Sequence, residues 1–179
     1  MEEEKLQLIS FGDPLLKMKP TKFDFGKDDA VEEAKELRNK LYACLNETGG
    51  VGLSANQTGI DSAVFVMTGK NKDAPRIVFN PEITAVSEEE CVMKEGCLSY
   101  PGLWLMIKRP TSCTMTYQNE EGQVAVEEFI GTDARIVLHE FDHMMGVNFT
   151  MRASKLKIQR ALKALDKKVA KYRRRANVR

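Results

Sequence analysis

His139-Glu140-Phe141-Asp142-His143 decides how the rest of the chain is read. The segment around it has helical patterning, with Thr132 or Asp133 as the expected N-cap and Gly146 as the stop. On a helix, residues four apart project from one face about one turn apart, so the two imidazoles can meet one metal ion. Glu140 follows the first histidine directly. That position sets a carboxylate beside an attacking water without making it a ligand, as a general base and acid requires. The plainer alternative is a buried core pair or an exposed polar face. Against it, the chain has 2 histidines and both fall in this one pattern.

A catalytic metal normally takes three protein ligands and keeps a position open. In metalloproteases sharing HExxH the third lies downstream, as a histidine six residues on or as a later acid. Here Gly146 fits the longer HExxHxxGxxH pattern, but Phe149 occupies its final histidine position, and the only acid after His143 is Asp166. Upstream, Glu95-Gly96-Cys97-Leu98-Ser99-Tyr100-Pro101-Gly102 offers a thiol among turn residues. Thiolate with two imidazoles suits zinc, iron or nickel, and a metal keeps such a thiol ionised. Taken alone, a cysteine so far from the histidines reads better as a buried structural thiol than as a ligand, and Cys44, Cys91 and Cys113 keep that reading.

Outward from this helix the pattern varies. Asp28 to Thr48 carries Val31, Ala34, Leu37, Leu41 and Leu45 at helical spacing, with Asp28 or Asp29 as cap and Gly49-Gly50 as stop. Ala63 to Met67 and Arg76 to Asn80 read as strands, ended by Thr68-Gly69 and Pro81. Cys113 to Gln118 and Gln123 to Phe129 flank the turn Asn119-Glu120-Glu121-Gly122 as a hairpin. Ser154 to about Arg174 places Ile158, Leu162, Leu165, Val169 and Tyr172 on one stripe of a final basic helix. The expected fold class is α+β, with antiparallel strands packed around a central HExxH-bearing helix, an N-terminal helix and a basic C-terminal helix. Residues 1–152 are expected to form a catalytic metallohydrolase domain, with 153–179 a basic helix of the same domain.

Composition bounds the remainder. With 179 residues, 42% hydrophobic and 30% charged, the chain has the makeup of one ordinary globular domain. No apolar run approaches bilayer length, the acidic start resembles no secretory or transit leader, and the 4 cysteines form no CxxC pair. A reduced, cytoplasmic protein with no membrane partner is expected. The net charge of +1 hides an asymmetry, because from Arg152 onward the chain is strongly basic with Asp166 as its single acid. Such a tail suits an anionic partner.

Gly50-Val51-Gly52-Leu53-Ser54-Ala55-Asn56-Gln57 fits neither GxGxxG nor a phosphate loop, but lets backbone approach a ligand while Gln57 offers an amide donor. These three segments together resemble the three motifs of the peptide deformylase family: GφGφAAxQ, EGCLS and HExDH, in that order. The first matches at Gly50 to Gln57 with Ser54 for an alanine, and the others match unchanged at Glu95 to Ser99 and His139 to His143. The likeness runs from about Leu6 to Arg152, and Gly12 stands where the family commonly has proline. It implies Cys97, His139 and His143 as ligands of one divalent metal, Fe²⁺ with Zn²⁺ or Ni²⁺ able to substitute. It implies Glu140 as general base and acid, and Gln57 with the backbone N–H of Leu98 as oxyanion donors. Gly52 and Gly96 would line the substrate, with Val51 and Ile136 in an apolar methionine pocket and Trp104 and Arg135 at its rim. The implied reaction is removal of the formyl group from N-formylmethionyl nascent peptides, releasing formate, by a monomer whose basic helix docks on the ribosome near the exit tunnel. A zinc endopeptidase and a ribosome- or RNA-binding protein with vestigial motifs are the rival readings.

Overall fold

The computed structural model describes residues 5–68 and 75–176. Helix α1 spans Ala30–Thr48 and ends as the sequence demands: Gly49 takes φ 68°, and its N–H closes onto the Leu45 and Asn46 carbonyls. Asp29 stands at the N-cap position, but its side chain makes no capping bond. Buried Ala34, Leu41 and Leu45 form the inner face of the helix.

Five strands make the main sheet: β1 (Gly52–Ser54), β2 (Val64–Met67), β3 (Arg76–Val86), β6 (Ser112–Gln118) and β7 (Val124–Ile130), antiparallel and in the order β1-β2-β3-β6-β7. Between β3 and β6 in the chain, β4 (Glu90–Gly96) and β5 (Trp104–Pro110) form a separate two-stranded sheet. Alternation along β2 divides the core. Val64 and Val66 pack with α1, whereas Phe65 and Met67 face a second cluster with Val137 and Leu138 of helix α2, Thr132–Met144. Helix α2 thus lies against the main sheet and also touches β5, so antiparallel strands flank the HExxH helix as expected.

Two local expectations need correction, and two strands were not foreseen. Strand β3 does not stop before Pro81 but continues to Val86. Proline has no N–H to give a ladder, and here it falls in a register shift between Phe79 and Glu82, preceded by Asn80 at φ 49°. The Asn80 side chain pins that kink, accepting from Phe23 N–H and donating to the Phe23 carbonyl, each at 2.8 Å. Helix α2 begins behind Gly131 at φ 62°, so Thr132 and Asp133 are its first helical residues rather than its cap. Strand β4, which carries Glu95 and Gly96, and its partner β5 went unforeseen.

Helix α3, Lys155–Ala176, packs through Ile158, Ala161 and Leu165 onto Leu103, Leu105, Ile107 and Phe149. The expected stripe is only half used. Leu162, Val169 and Tyr172 remain 43%, 41% and 77% exposed, and every residue from Asp166 to Arg174 is exposed.

Candidate metal centre

Strand β4 ends at Gly96, and the next residue, Cys97, is held over α2, where its Sγ lies 3.5 Å from His143 Nε2. Ligand atoms of Cys97, His139 and His143 all lie within 4.8 Å of one another, and all three side chains are buried. One thiol and two imidazoles converging at this spacing fit a single divalent ion. Phe149, at the histidine position of the longer protease motif, is buried core, its ring 5.9 Å from that of His139.

Further groups hold this set. Glu95 Oε2 lies 3.0 Å from His139 Nδ1, which leaves Nε2 to face the ion. Arg109 donates to both Glu95 oxygens at 2.8 and 3.0 Å and to Asp142 at 2.7 Å. Arg135 donates to Glu95 at 2.7 Å and to the Cys91 and Ile107 carbonyls, and Arg152 closes the far side on Asp142. Burial opposes ionisation of Glu95, yet the bonds from His139 and the two arginines outweigh it and hold the carboxyl well below its usual range. Burial keeps His143 neutral, down at about 3, with His139 and Arg109 adding to the effect. In His139 burial opposes the charged form, but hydrogen bonds with Cys97 and Glu95 outweigh it and lift the imidazole to about 10.

Glu140 is buried beside the two histidines. Burial raises its carboxyl, against the pull of His139 and a 2.7 Å bond donated by the Ser54 hydroxyl to Oε2. Ser54 is therefore more than a small substitute for alanine: alanine could not make this bond. A Cβ at Gly52 would stand 2.5 Å from Glu140 Oε1, so glycine is what lets β1 pass the carboxylate. Gln57 is 2% exposed; its Oε1 accepts from Ser54 N–H at 3.0 Å, and its Nε2 reaches Ser99 Oγ at 3.1 Å and Cys97 Sγ at 3.3 Å.

Around these groups lies a cleft of about 510 Å³. Val51, Gly52, Gly96, Leu98 and Ile136 line it, together with Gln57, Cys97, His139 and Glu140. Val51 is 47% exposed at its mouth, while Ile136 is buried. Arg135 corrects an expectation, because it is 6% exposed within the ion-pair network rather than on a rim. Arg109, Asp142 and Ser54 were missed as site residues. Asp142 stood inside the quoted motif, but nothing in sequence joined Arg109 to it across 33 positions.

An HExxH helix facing a thiol that directly follows a neighbouring strand, with a buried carboxylate at the head of a cleft, defines a metal-dependent hydrolase. Residues 5–159 match the family model described as polypeptide deformylase. The chain is similar to the peptide deformylases of Pseudothermotoga lettingae, 37% identical over 82% of this chain and 80% of that protein, and of Thermotoga maritima, 40% identical over 82% and 86%. Its structure resembles a peptide deformylase from Synechococcus elongatus crystallised with actinonin, with a TM-score of 0.82 at 28% identity, covering 92% of this chain and 89% of that one. It also resembles the Met-Ala-Ser-bound enzyme of Acinetobacter baumannii, with a TM-score of 0.75 at 28% identity, covering 84% and 99%. The chain belongs to the polypeptide deformylase family, and its activity is that of a peptide deformylase, a metal-dependent hydrolase.

Proposed function

We propose that this chain hydrolyses the formyl group from N-formylmethionyl nascent peptides, releasing formate. The observation that carries the reading is the buried Glu140 carboxylate beside the Cys97, His139 and His143 donor set, at the head of a cleft with room for a peptide end. The donor chemistry fits one divalent ion; the family resemblance implies Fe²⁺, with Zn²⁺ or Ni²⁺ in substitution. When bound, that ion supplies Lewis acidity to the formamide and to water.

Cys97, His139 and His143 hold the ion, and Glu95 fixes the tautomer and orientation of His139. Glu140 takes a proton from the attacking water and returns it to the leaving amine, and burial favours a carboxyl able to do both. Gln57 Nε2 and the backbone N–H of Leu98 donate to the oxyanion, and the Gln57 amide is already oriented through Ser54 N–H. Gly52 and Gly96 let the substrate backbone approach, while Val51 and Ile136 meet the methionine side chain. The resemblance of this chain to the Met-Ala-Ser-bound enzyme supports a peptide that begins with methionine as the ligand of this family's site.

Residues 1–152 form the catalytic part, and 153–179 belong to the same domain through Ile158, Ala161 and Leu165. One copy carries the donor set and the cleft together, so a monomer, the expected state, needs no residue from a partner. No helix among the described residues is long and apolar enough to cross a membrane. A thiol ligand favours a reducing setting, the cytoplasm, and the exposed basic end of α3 favours docking on ribosomal RNA near the exit tunnel. The deciding experiment is formate release from formyl-Met-Ala-Ser by protein purified without air, with metal analysis on the same sample. Metal-loaded protein that releases no formate, or that cuts internal peptide bonds instead, overturns the reading.

A further inference from the structure

Strand β4 pairs with β5 along one edge only, and its residues Met93, Lys94, Glu95 and Gly96 all line the cleft. It runs toward the metal centre, with Cys97 directly after Gly96, whereas a peptide whose formylated end sits at the metal runs away from it. A segment added to this edge is therefore antiparallel to β4, and residues directly opposed in such a pair project from one face of the sheet. The two faces of β4 differ. Glu95 turns inward to His139, while Lys94 is exposed on the outer face. Trp104, the partner of Gly96 on β5, lays its ring over that glycine, so that a Cβ there would stand 3.1 Å from ring carbons. The Lys94 Nζ lies 4.9 Å from the centre of the same ring. Lys108, on the same face, is paired with Glu90, but Lys94 enters no ion pair among the described residues. The ring fixes where the ammonium stands and leaves its charge unneutralised.

We propose that Lys94 is a specificity-determining residue that selects an acidic side chain at the fourth residue of the substrate peptide. This assignment rests on the deformylase reading, which sets the formyl group at the Leu98 N–H. Counted antiparallel from there, the first residue lies beside Cys97, the second opposite Gly96, the third opposite Glu95 and the fourth opposite Lys94. The fourth side chain then shares the outer face with the Lys94 ammonium, while the third projects from the other face. Glutamate or aspartate at the fourth residue completes a cross-strand ion pair, and lysine or arginine there meets a like charge.

The test uses metal-loaded protein and formylated pentapeptides, formyl-Met-Ala-Ser-X-Ala and formyl-Met-Ala-X-Ser-Ala, with X as glutamate or lysine. In the wild type at low salt, kcat/KM for glutamate at the fourth residue should exceed that for lysine about fivefold, the factor that one exposed cross-strand ion pair supplies. The preference should fade in about 1 M salt, which screens exposed charges. Lys94→Met should bring the fourth-residue ratio close to one and Lys94→Glu should invert it, both leaving the third-residue ratio where it stood. Because each ratio is taken within one enzyme, a general loss of activity cancels. A fourth-residue ratio unchanged in Lys94→Glu, or an equal shift at the third residue, which marks the diffuse field of the whole surface, would overturn the proposal. Failure of the metal-loaded wild type on all four peptides would instead overturn the deformylase reading itself.

Discussion

At the scale of single residues the chemistry was legible wherever it sits in a contiguous motif. His139, Glu140 and His143 share one helical turn, and spacing alone brings them together. Glu140→Gln should keep the metal and lose at least about a hundredfold in turnover, the lower range for acid–base catalysis; near-normal turnover with metal bound would contradict the role. Cys97→Ala should bind metal poorly, whereas Cys44→Ala, in the α1 core, should retain full metal content by elemental analysis. The partners of these groups were illegible, because they are set by tertiary approach. Ser54 looked like a neutral exchange until its hydroxyl was found on Glu140. Ser54→Ala should cost about tenfold in turnover, the worth of one hydrogen bond to a charged group. Gly52→Ala should lower both turnover and stability, because the added methyl meets the buried Glu140 side chain from Cγ to Oε1; measuring kcat and the thermal midpoint checks this.

At the scale of elements, helices and the β6–β7 hairpin followed from periodicity and turn chemistry, while β4 and β5 did not. Strand β5 does alternate, burying Leu105, Ile107 and Arg109, but a charge at an inward position breaks the apolar signal that marks a strand. That inward arginine is what the metal centre needed, since it bridges Glu95 and Asp142. The local disguise and the function therefore have one cause. In α3 the apolar stripe was readable but not how far it is buried: Leu165 is the last residue of the helix packed on the buried cluster. The exposed half is thus free to meet an anionic surface. Reversing Lys163, Lys167, Lys171 and Arg174 to glutamate should abolish salt-sensitive ribosome binding while activity on a short formyl-peptide persists. Equal binding by both proteins across a salt titration would eliminate docking through this helix.

At the scale of the whole molecule, Glu95 joins the β4–β5 sheet to α2 through one buried carboxylate. Its folded pKa is depressed, so its contribution to stability is present above its ordinary value of 4.5 and is lost as pH falls below it. Wild-type stability to urea should accordingly decline as pH drops through that range, and Glu95→Gln should flatten the decline. At neutral pH the same substitution leaves Arg109 and Arg135 without their shared anion and should cost about 3–5 kcal/mol in a urea titration. The order of elements could be read from sequence, but the layering of sheet, helix and hairpin could not, because it rests on side chains that meet across long stretches of chain.

Cys97 leaves the end of β4, whereas both histidines ride on α2, so an ion shared by them also fastens the two-stranded sheet to the helix. It closes a loop of 46 residues. A covalent crosslink around such a loop would restrict the unfolded chain by on the order of 4 kcal/mol, and a tightly held ion acts as a reversible rivet of the same kind. Oxidation of this one sulfur would then silence the enzyme and unclasp its hairpin in a single event. Activity and protease resistance should vanish together in air and, while the thiol is still recoverable, return together on reduction with fresh metal.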